Sequence, residues 1–451
     1  MSFNKKPQNS LLKKIRGKFS GQLISNILTV GIITILVKSV AFFKEVKIAD
    51  AYGTSLLVDT YLVAFLVPSF IQSVFLIAYK GAFIPNYVQE SKEFSDTKTF
   101  QTTSFIITIG VCLVVMATTH FGIDLYLENL FPGKDATFYS LVKIQLSILL
   151  PSILFWGTSS LLNAQLNVAN DFFYSSLNSF FVPLVTIILI YGFREQLQEK
   201  TLAYGMLIGS GCSFFYLLVL ALKRKLLKIG VPDFKNRNTI MLLKQLPAKV
   251  SSSLINGLNP VVDQYFSGKL MAGAIASLNY GYKIPIVIIG LITTTIASTL
   301  LPYFSKKVLE GSNTLFKELF KILRLCLLLM SSISLLLIIF SEHIISWVFE
   351  RGVFTADDTT IVSAVQQMYL IQLPFYLAAS IMNVFLTSIN KNAFLVISST
   401  ISLLLNILLN YLLIDIMGIK GLALATSLVT LCNSIVIYLY INKLQTKLVE
   451  K

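Results

Sequence analysis

The chain has 451 residues, of which 55% are hydrophobic and only 13% are charged. A soluble protein carries about 25% charged residues, so this composition excludes a soluble globular fold and indicates a protein that crosses the membrane many times. The net charge of +15 does not indicate a nucleic-acid partner, because the basic residues concentrate in loops beside apolar segments. The apolar segments are helix-length, unlike the strands of an outer-membrane barrel.

Hydropathy predicts twelve transmembrane helices. They fall near residues 22–43, 55–79, 101–123, 141–165, 172–192, 202–222, 247–268, 276–303, 318–340, 359–388, 393–415 and 420–442. Residues 1–21 are polar and basic, and no small-residue cleavage site follows the first apolar run. We therefore expect a retained first helix rather than a signal peptide.

The basic residues predict how the helices are oriented in the membrane. Loops on the side of the N-terminus hold 26 lysines and arginines, whereas the opposite loops hold 8. Because cytoplasmic loops carry the excess of basic residues, we expect both termini to be cytoplasmic in a bacterial inner membrane.

The basic segment 223–246 divides the chain into two six-helix halves, 1–222 and 247–442, followed by a cytoplasmic tail at 443–451. Each half contains two prolines 17 residues apart and an Asn-x6-Asn motif. These are Pro68/Pro85 with Asn163/Asn170, and Pro285/Pro302 with Asn383/Asn390. We therefore predict an all-α integral membrane protein, a V-shaped bundle whose halves are related by a pseudo-two-fold axis along the membrane normal. The substrate site is expected between the halves.

The first hairpin carries charges at membrane depth: Lys38 and Lys44 in one helix and Asp59 near the start of the next. A charge in the membrane costs about 2.5 to 3.5 kcal/mol on insertion scales and usually faces a cavity or a partner. One interpretation is a polar chamber between helices. In the other, the lysines extend to the nearby interface and Asp59 caps a helix.

The second half repeats this placement, with Asp263 in the seventh predicted helix and Lys283 in the eighth. An unpaired carboxylate is costly in lipid, although Asp263 can instead pair with nearby Lys269. Asn406 and Asn410 lie four residues apart and share one helix face, where interhelical hydrogen bonding alone would account for them.

Several stretches resemble the MurJ/MviN lipid II flippase family of the multidrug/oligosaccharidyl-lipid/polysaccharide exporter superfamily. The first hairpin matches the family pattern with VKSVAFFKEV, YG and VDTYLVAFLVP. Further matches follow in order: FPGK at 131–134, VDQYFSGKLMAGAIASLNYGYK at 262–283, LLPYFSK at 300–306, FERGVFTADDT at 349–359 and GIKGLALATSL at 418–428. The resemblance spans nearly the whole chain.

The resemblance implies roles for the intramembrane charges. Lys38, Lys44 and Lys283 stand where the family has arginines that are thought to hold the substrate pyrophosphate, and Asp59 stands at a family aspartate. Some members resemble sodium-coupled transporters, which implies a cation site of Asp263, Asn406, Asn410 and Thr426 for Na+ or H+. An aspartate is expected where this chain has Asn410.

The chain also departs from the family pattern. The cavity arginines are lysines here, which lack the bidentate phosphate fork, and Gln72-Ser73 replaces an Arg-Arg pair. The family usually has fourteen helices, whereas twelve are predicted. An O-antigen, capsule or exopolysaccharide repeat unit on the same carrier is therefore an alternative cargo to lipid II.

The predicted function is a flippase that moves an undecaprenyl-pyrophosphate-linked saccharide by alternating access, rather than an enzyme. A cation-coupled multidrug exporter is the other alternative, although it would more naturally have an acidic cavity. We expect a monomer with the bilayer and a lipid-linked saccharide as partners, no nucleic acid and no cofactor beyond a coupling ion. The scattered cysteines and two histidines do not have the spacing of a metal site.

Overall fold

The computed structural model of the protein describes residues 31, 33–94, 96–309 and 315–449. Every element in this part of the chain is a helix. The first seven are α1 (33–52), α2 (Leu56–Glu93), α3 (Lys98–Phe121), α4 (Ile123–Leu130), α5 (Ala136–Val168), α6 (Phe172–Leu177, continued by Phe181–Leu197) and α7 (Thr201–Lys223). The other eight are α8 (Arg237–Gly268), α9 (Ala274–Leu309), α10 (Leu315–Ile339), α11 (Ser341–Phe349), α12 (Ala356–Leu370), α13 (Leu373–Ser388), α14 (Asn392–Met417) and α15 (Ile419–Val449).

The predicted hydrophobic windows fall on these helices, although residues 22–30 and 32 of the first window lie outside the described residues. Nine continuous helical stretches of the described chain are long and apolar enough to cross a membrane. One of these stretches, Phe172–Lys223, comprises α6 and α7 and contains two predicted windows. Helices α1 and α8 are not among these nine. The all-helical membrane fold is therefore confirmed, whereas the count of twelve spans stays a prediction.

The described chain packs as two compact units that interleave in sequence. The first unit comprises the described part of Met1–Lys44 together with Lys80–Val114 and Pro151–Gln245. The second comprises Glu45–Tyr79, Val115–Leu150 and the described part of Leu246–Lys451. These units do not coincide with the predicted halves, because five helices contribute residues to both units: α1, α2, α3, α5 and α8.

Close helix packing holds the first unit together. Leu162 and Leu166 of α5 pack against Leu217 and Ala221 of α7. A Cβ atom at Gly209 would lie 2.6 Å from the Cα atom of Val182, so only glycine permits this approach of α7 to α6. Small residues at such crossings are typical of membrane helices, whose association depends on van der Waals contact.

The segment after α7 is shorter than the predicted linker of 223–246, because α8 begins at Arg237. This segment lies against the start of α3. The backbone N–H groups of Lys228, Gly230 and Asp233 donate to side-chain oxygens of α3 at 2.8–2.9 Å. Threonine and glutamine side chains thus satisfy donors that no helix or strand can satisfy here.

The second unit has a larger aromatic and aliphatic core. Phe304 of α9 and Phe385 of α13 meet edge to face at 5.4 Å, and Leu319 of α10 and Ile437 of α15 join the same cluster. The leucines of α10 and α14 that point away from this core are largely exposed, as expected for helices that face lipid.

Two helix ends support the predicted internal repeat. Helix α5 ends just before Asn170 and α13 ends just before Asn390, and both asparagines have a left-handed backbone, with φ of 61° and 57°. The N–H group after each asparagine donates back into its helix, from Asp171 to Leu166 and from Lys391 to Leu386. The two Asn-x6-Asn motifs therefore end in the same helix cap, for which asparagine is one of the few tolerated residues.

Candidate functional site

The predicted anion-binding residues are divided between the two units. Lys38 and Lys44 lie on α1 in the first unit, and Lys38 is exposed. Asp59 on α2 and Lys283 on α9 lie in the second unit. The convergence of all three lysines on one cavity therefore stays a prediction, and the geometry of the second unit is described by itself.

Lys283 has a carboxylate partner that the sequence analysis did not identify. Its Nζ atom lies 3.0 Å from Oε2 of Glu45, and the two side chains are 21% and 17% exposed. The pair joins α9 to the second part of α1. The sequence gave little signal for it, because Glu45 lies beyond the predicted window of 22–43, whereas the helix continues to residue 52 in the structure.

Asp59 is 3% exposed and binds the start of α9 rather than a lysine side chain. Its Oδ2 atom accepts a hydrogen bond from the backbone N–H of Gly273 at 2.6 Å, and its Oδ1 atom accepts one from Ala276 at 2.7 Å. The positive end of the helix dipole and these two donors stabilise the carboxylate. Asp59 thus caps a helix, as one interpretation of the sequence proposed, although the capped helix belongs to the other half.

Glycine makes the Asp59 contact possible. Gly273 has φ of +86°, and a Cβ atom there would lie 2.2 Å from the carbonyl oxygen of Thr54. An L side chain would meet both the strained backbone and this collision. The loop before α9 therefore approaches the loop before α2 closely, which brings the Gly273 N–H to Asp59.

A second set of contacts joins the end of α1 to the loop between α11 and α12. The N–H of Val353 donates to the carbonyl oxygen of Asp50 at 2.9 Å, and Thr54 Oγ1 donates to the carboxylate of Asp358. Asp358 also completes a capping box with Thr355 at the start of α12. The segment FERGVFTADDT, which carries part of the family resemblance, thus contacts the first hairpin.

A cavity of about 240 Å³ lies beside Asp59 within the second unit. Polar atoms of Asp59, Lys134, Asp135 and Ser267 line it, and Lys134 Nζ donates to the carbonyl oxygen of Leu270 at 3.1 Å. Ligand pockets usually measure about 300–1,000 Å³. This cavity is therefore too small for a lipid-linked saccharide, and we interpret it as part of the junction between the hairpin and α9.

The structure brings together three of the four predicted cation-site residues. Asn410 Nδ2 lies 3.0 Å from Asp263 Oδ1, and Asn406 Nδ2 lies 3.5 Å from the same oxygen. Thr426 instead donates to the carbonyl oxygen of Leu422 in its own helix. The Nζ atom of Lys269, the alternative partner of Asp263, lies 4.4 Å from the centre of the Tyr265 ring. No ion pair between Asp263 and Lys269 is among the contacts of the described residues.

The Asp263 cluster offers limited oxygen for a cation. Asn410 Oδ1 is buried without a hydrogen-bond partner among the described residues, so it is an oxygen that a cation can use. The described residues contain no group of three or more His, Cys, Asp or Glu side chains that would hold a metal ion. One carboxylate with amide oxygens suits a weakly bound monovalent cation better than a divalent metal, which favours more charged ligands.

The fold and these intramembrane charges define a helical protein that spans the membrane several times and holds charged side chains among its apolar helices. The fold is similar to the inward-facing conformation of a MATE family multidrug resistance transporter, with a TM-score of 0.79 and 11% identity over 94% of this chain and 99% of that one. Such a likeness shows the fold alone. Residues 48–450 match the family described as lipid II flippase MurJ, and the chain belongs to that family.

Individual relatives agree with this assignment. The chain is 26% identical to a probable lipid II flippase MurJ of Buchnera aphidicola subsp. Schizaphis graminum, covering 92% of this chain and 82% of that protein. It is 23% identical to a protein of the same description from Rhizobium tropici, with coverage of 92% and 80%. It is also similar to a solved lipid II flippase MurJ in an inward closed conformation, with a TM-score of 0.81 and 25% identity over 92% of this chain and 87% of that one.

Proposed function

We propose that this protein is a flippase that moves lipid II across the bacterial cytoplasmic membrane. Family membership over residues 48–450 is the observation that carries this proposal. The charge pattern supports it, because a pyrophosphate-linked lipid needs cations at membrane depth and Lys38, Lys44 and Lys283 supply them. An acidic cavity suited to cationic drugs would need a different set of side chains.

Alternating access requires contacts that can break and re-form between the two six-helix halves. Within the second unit, the Asp59–Gly273, Asp50–Val353 and Glu45–Lys283 contacts all join the first hairpin to the second half. They are polar contacts rather than extended apolar packing, so water can replace each donor and acceptor when they separate. We propose that they close one side of the transport path in one state of the cycle.

The function is tested by replacing the resident lipid II flippase of a depleted bacterial strain with this protein. We expect growth to be restored, and the purified protein in liposomes to move fluorescent lipid II but not a neutral polyprenol. Transport of a capsule repeat unit without lipid II transport would contradict the assignment. A blot of the membrane fraction controls for expression.

We further propose that the protein lies in the inner membrane with both termini in the cytoplasm, on the basis of the loop charges. The exposed residue Lys235 lies between α7 and α8, on the proposed cytoplasmic side. A cysteine at Lys235 should resist a membrane-impermeant thiol reagent in intact cells and react after lysis, whereas a cysteine at the exposed Lys269 should react in both. Labelling of the Lys235 cysteine in intact cells would contradict this orientation.

The Asp263 cluster is our proposed coupling site for Na+ or H+. Its support is an intramembrane carboxylate with a buried and unpartnered amide oxygen beside it. When bound, the cation would neutralise Asp263 and draw the amide oxygens of Asn406 and Asn410 toward it.

A further inference from the structure

Lys80 is a cation in the first unit whose described partner is an amide rather than an acid. It lies on α2, and its side chain is partly buried. Its Nζ atom donates to Oδ1 of Asn163 on α5 at 2.7 Å. Among the described residues, no carboxylate forms an ion pair with it.

The surrounding hydrogen bonds fix the orientation of that amide. Asn163 Nδ2 donates to the carbonyl oxygen of Ser175 at 2.9 Å, so the Asn163 oxygen must face Lys80. Asn167 Nδ2 donates to the same oxygen at 3.1 Å, and Ser175 Oγ donates to Asn167 Oδ1 at 2.7 Å. Each polar group of the network has a defined partner, so the ammonium is held at one place.

The network positions the charge of Lys80 but does not neutralise it. An ammonium group has three N–H donors, of which Asn163 uses one, and a neutral amide carries no counter-charge. A lysine that merely extends toward water keeps its head group solvated, as the exposed Lys92 on the same helix does. Lys80 instead bonds across to α5, which leaves a partly buried positive charge able to accept an anion.

The position of the cluster indicates which anions can reach it. Asn163 and Asn167 lie in the last turns of α5, and Ser175 lies in the first turns of α6. This turn is on the side of the N-terminus, which we propose to be cytoplasmic. Phosphate-bearing lipid head groups of that leaflet lie at this level of the membrane.

We propose that Lys80, held by Asn163 and Asn167, forms an anion subsite for the phosphate of a lipid head group. This inference rests on the proposed function, because the diphosphate of the lipid-linked substrate has the required chemistry and must arrive from this side. A phosphate of an ordinary anionic bilayer lipid has the same chemistry. Lys80 is not one of the three lysines that the family resemblance assigns to the substrate pyrophosphate.

The experiment measures lipid binding to the purified full-length protein by native mass spectrometry. The probes are undecaprenyl diphosphate, phosphatidylglycerol and an uncharged polyprenol of equal length. We expect Lys80→Met to weaken binding of the diphosphate lipid about tenfold or more, and Lys80→Arg to bind within about threefold of the wild type. The matched control, Lys92→Met, should bind like the wild type, and the polyprenol should bind all variants equally.

Asn163→Asp separates a binding role from a structural one. A carboxylate at this position supplies the counter-charge that Lys80 lacks, so it should weaken binding of the anionic lipid as Lys80→Met does. If Lys80 only ties α2 to α5, this ion pair would strengthen the tie, and binding would stay at the wild-type level. Thermal unfolding of each variant reports folding independently of lipid binding.

The probes also separate this inference from the proposed function. Loss of diphosphate binding alone identifies the substrate as the ligand, and equal loss of phosphatidylglycerol binding identifies the bilayer lipid. Wild-type affinity for both anionic lipids in Lys80→Met and Asn163→Asp would overturn the subsite, whatever the protein transports. A wild-type protein that binds phosphatidylglycerol through Lys80 but does not bind the diphosphate lipid would contradict the proposed cargo and keep the subsite.

Discussion

Lys283 and Lys80 are both lysines in the interior of membrane helices, but their partners differ. Lys283 forms an ion pair with Glu45 at 3.0 Å, whereas Lys80 donates to the neutral amide of Asn163 at 2.7 Å. An anion that approaches Lys283 must compete with a carboxylate already in place, whereas an anion at Lys80 meets an uncompensated charge. Anion binding at Lys283 would therefore require its ion pair with Glu45 to open. Anion binding at Lys80 would not require an ion pair to break.

The largest effect is expected from removing the charge of Lys283. Lys283→Gln should abolish transport, because hydrogen bonds to charged groups contribute about 1.5 to 3 kcal/mol and their loss weakens binding roughly ten- to a hundredfold. The measurement is lipid II transport in liposomes, with membrane expression as the control. The ion pair is largely buried, so removing one partner can also destabilise the fold, and thermal unfolding of the variant is measured as a second control.

The double variant Glu45→Gln/Lys283→Gln separates a role of Lys283 in substrate binding from its role in the ion pair, because both charges of the pair are removed together. If Lys283 binds substrate, the double variant should fold like the wild type and still fail to transport. Recovery of transport would instead mean that Lys283 serves only as the partner of Glu45. In that case the anion-binding assignment of Lys283 is wrong.

An intermediate loss of transport is expected from removing the charge of Lys38 or Lys44, the two predicted anion-binding lysines of α1. Replacement of either lysine by glutamine should weaken productive lipid II binding about tenfold, because one of three cations is lost. Replacement by arginine should retain transport, since the charge is kept and the guanidinium can bind phosphate in a bidentate manner. Glutamine variants of both residues that transport at the wild-type rate would favour the interpretation in which these lysines extend to the interface.

The smallest effect on the transport rate is expected from changing Asp263. Its side chain is hydrogen-bonded to the amides of Asn406 and Asn410, as Lys80 is hydrogen-bonded to the amide of Asn163. Asp263→Asn should leave folding intact and remove the dependence of transport on sodium or pH, because the only described carboxylate of the cluster is then neutral. Transport rates in a series of sodium concentrations and pH values test this. A variant with the wild-type dependence on both would exclude Asp263 as the coupling site.

The sequence predicted where the helices lie better than it predicted their partners. The hydrophobic windows identified the membrane helices because each depends on about 20 consecutive apolar residues, which is a local property. The repeated Asn-x6-Asn motif indicated an internal repeat for a similar reason. The left-handed cap that Asn170 and Asn390 form depends only on residues close to them in the chain. Helix ends were less accurate, and α8 begins ten residues before its predicted window because a polar helical extension has no hydropathy signal.

Part of the candidate site was predicted. The family resemblance placed Asp263, Asn406, Asn410 and Thr426 in one group. Hydrogen bonds join the first three in the structure. It did not identify Glu45 or Lys80. Both residues lie just beyond the end of a predicted window, and no spacing rule relates either of them to a partner on a distant helix.

By itself, the sequence determined that this protein is a helical membrane protein, because hydropathy acts through the local chain and the bilayer. The loop charges predict its orientation for the same reason. Only the tertiary structure decided how each buried charge is satisfied. Asp59 binds backbone donors 214 and 217 residues away, at the start of a helix that packs beside it. Such contacts depend on which helix ends meet, and in a low-dielectric environment each charge is stabilised by whatever donor or acceptor the packing places next to it.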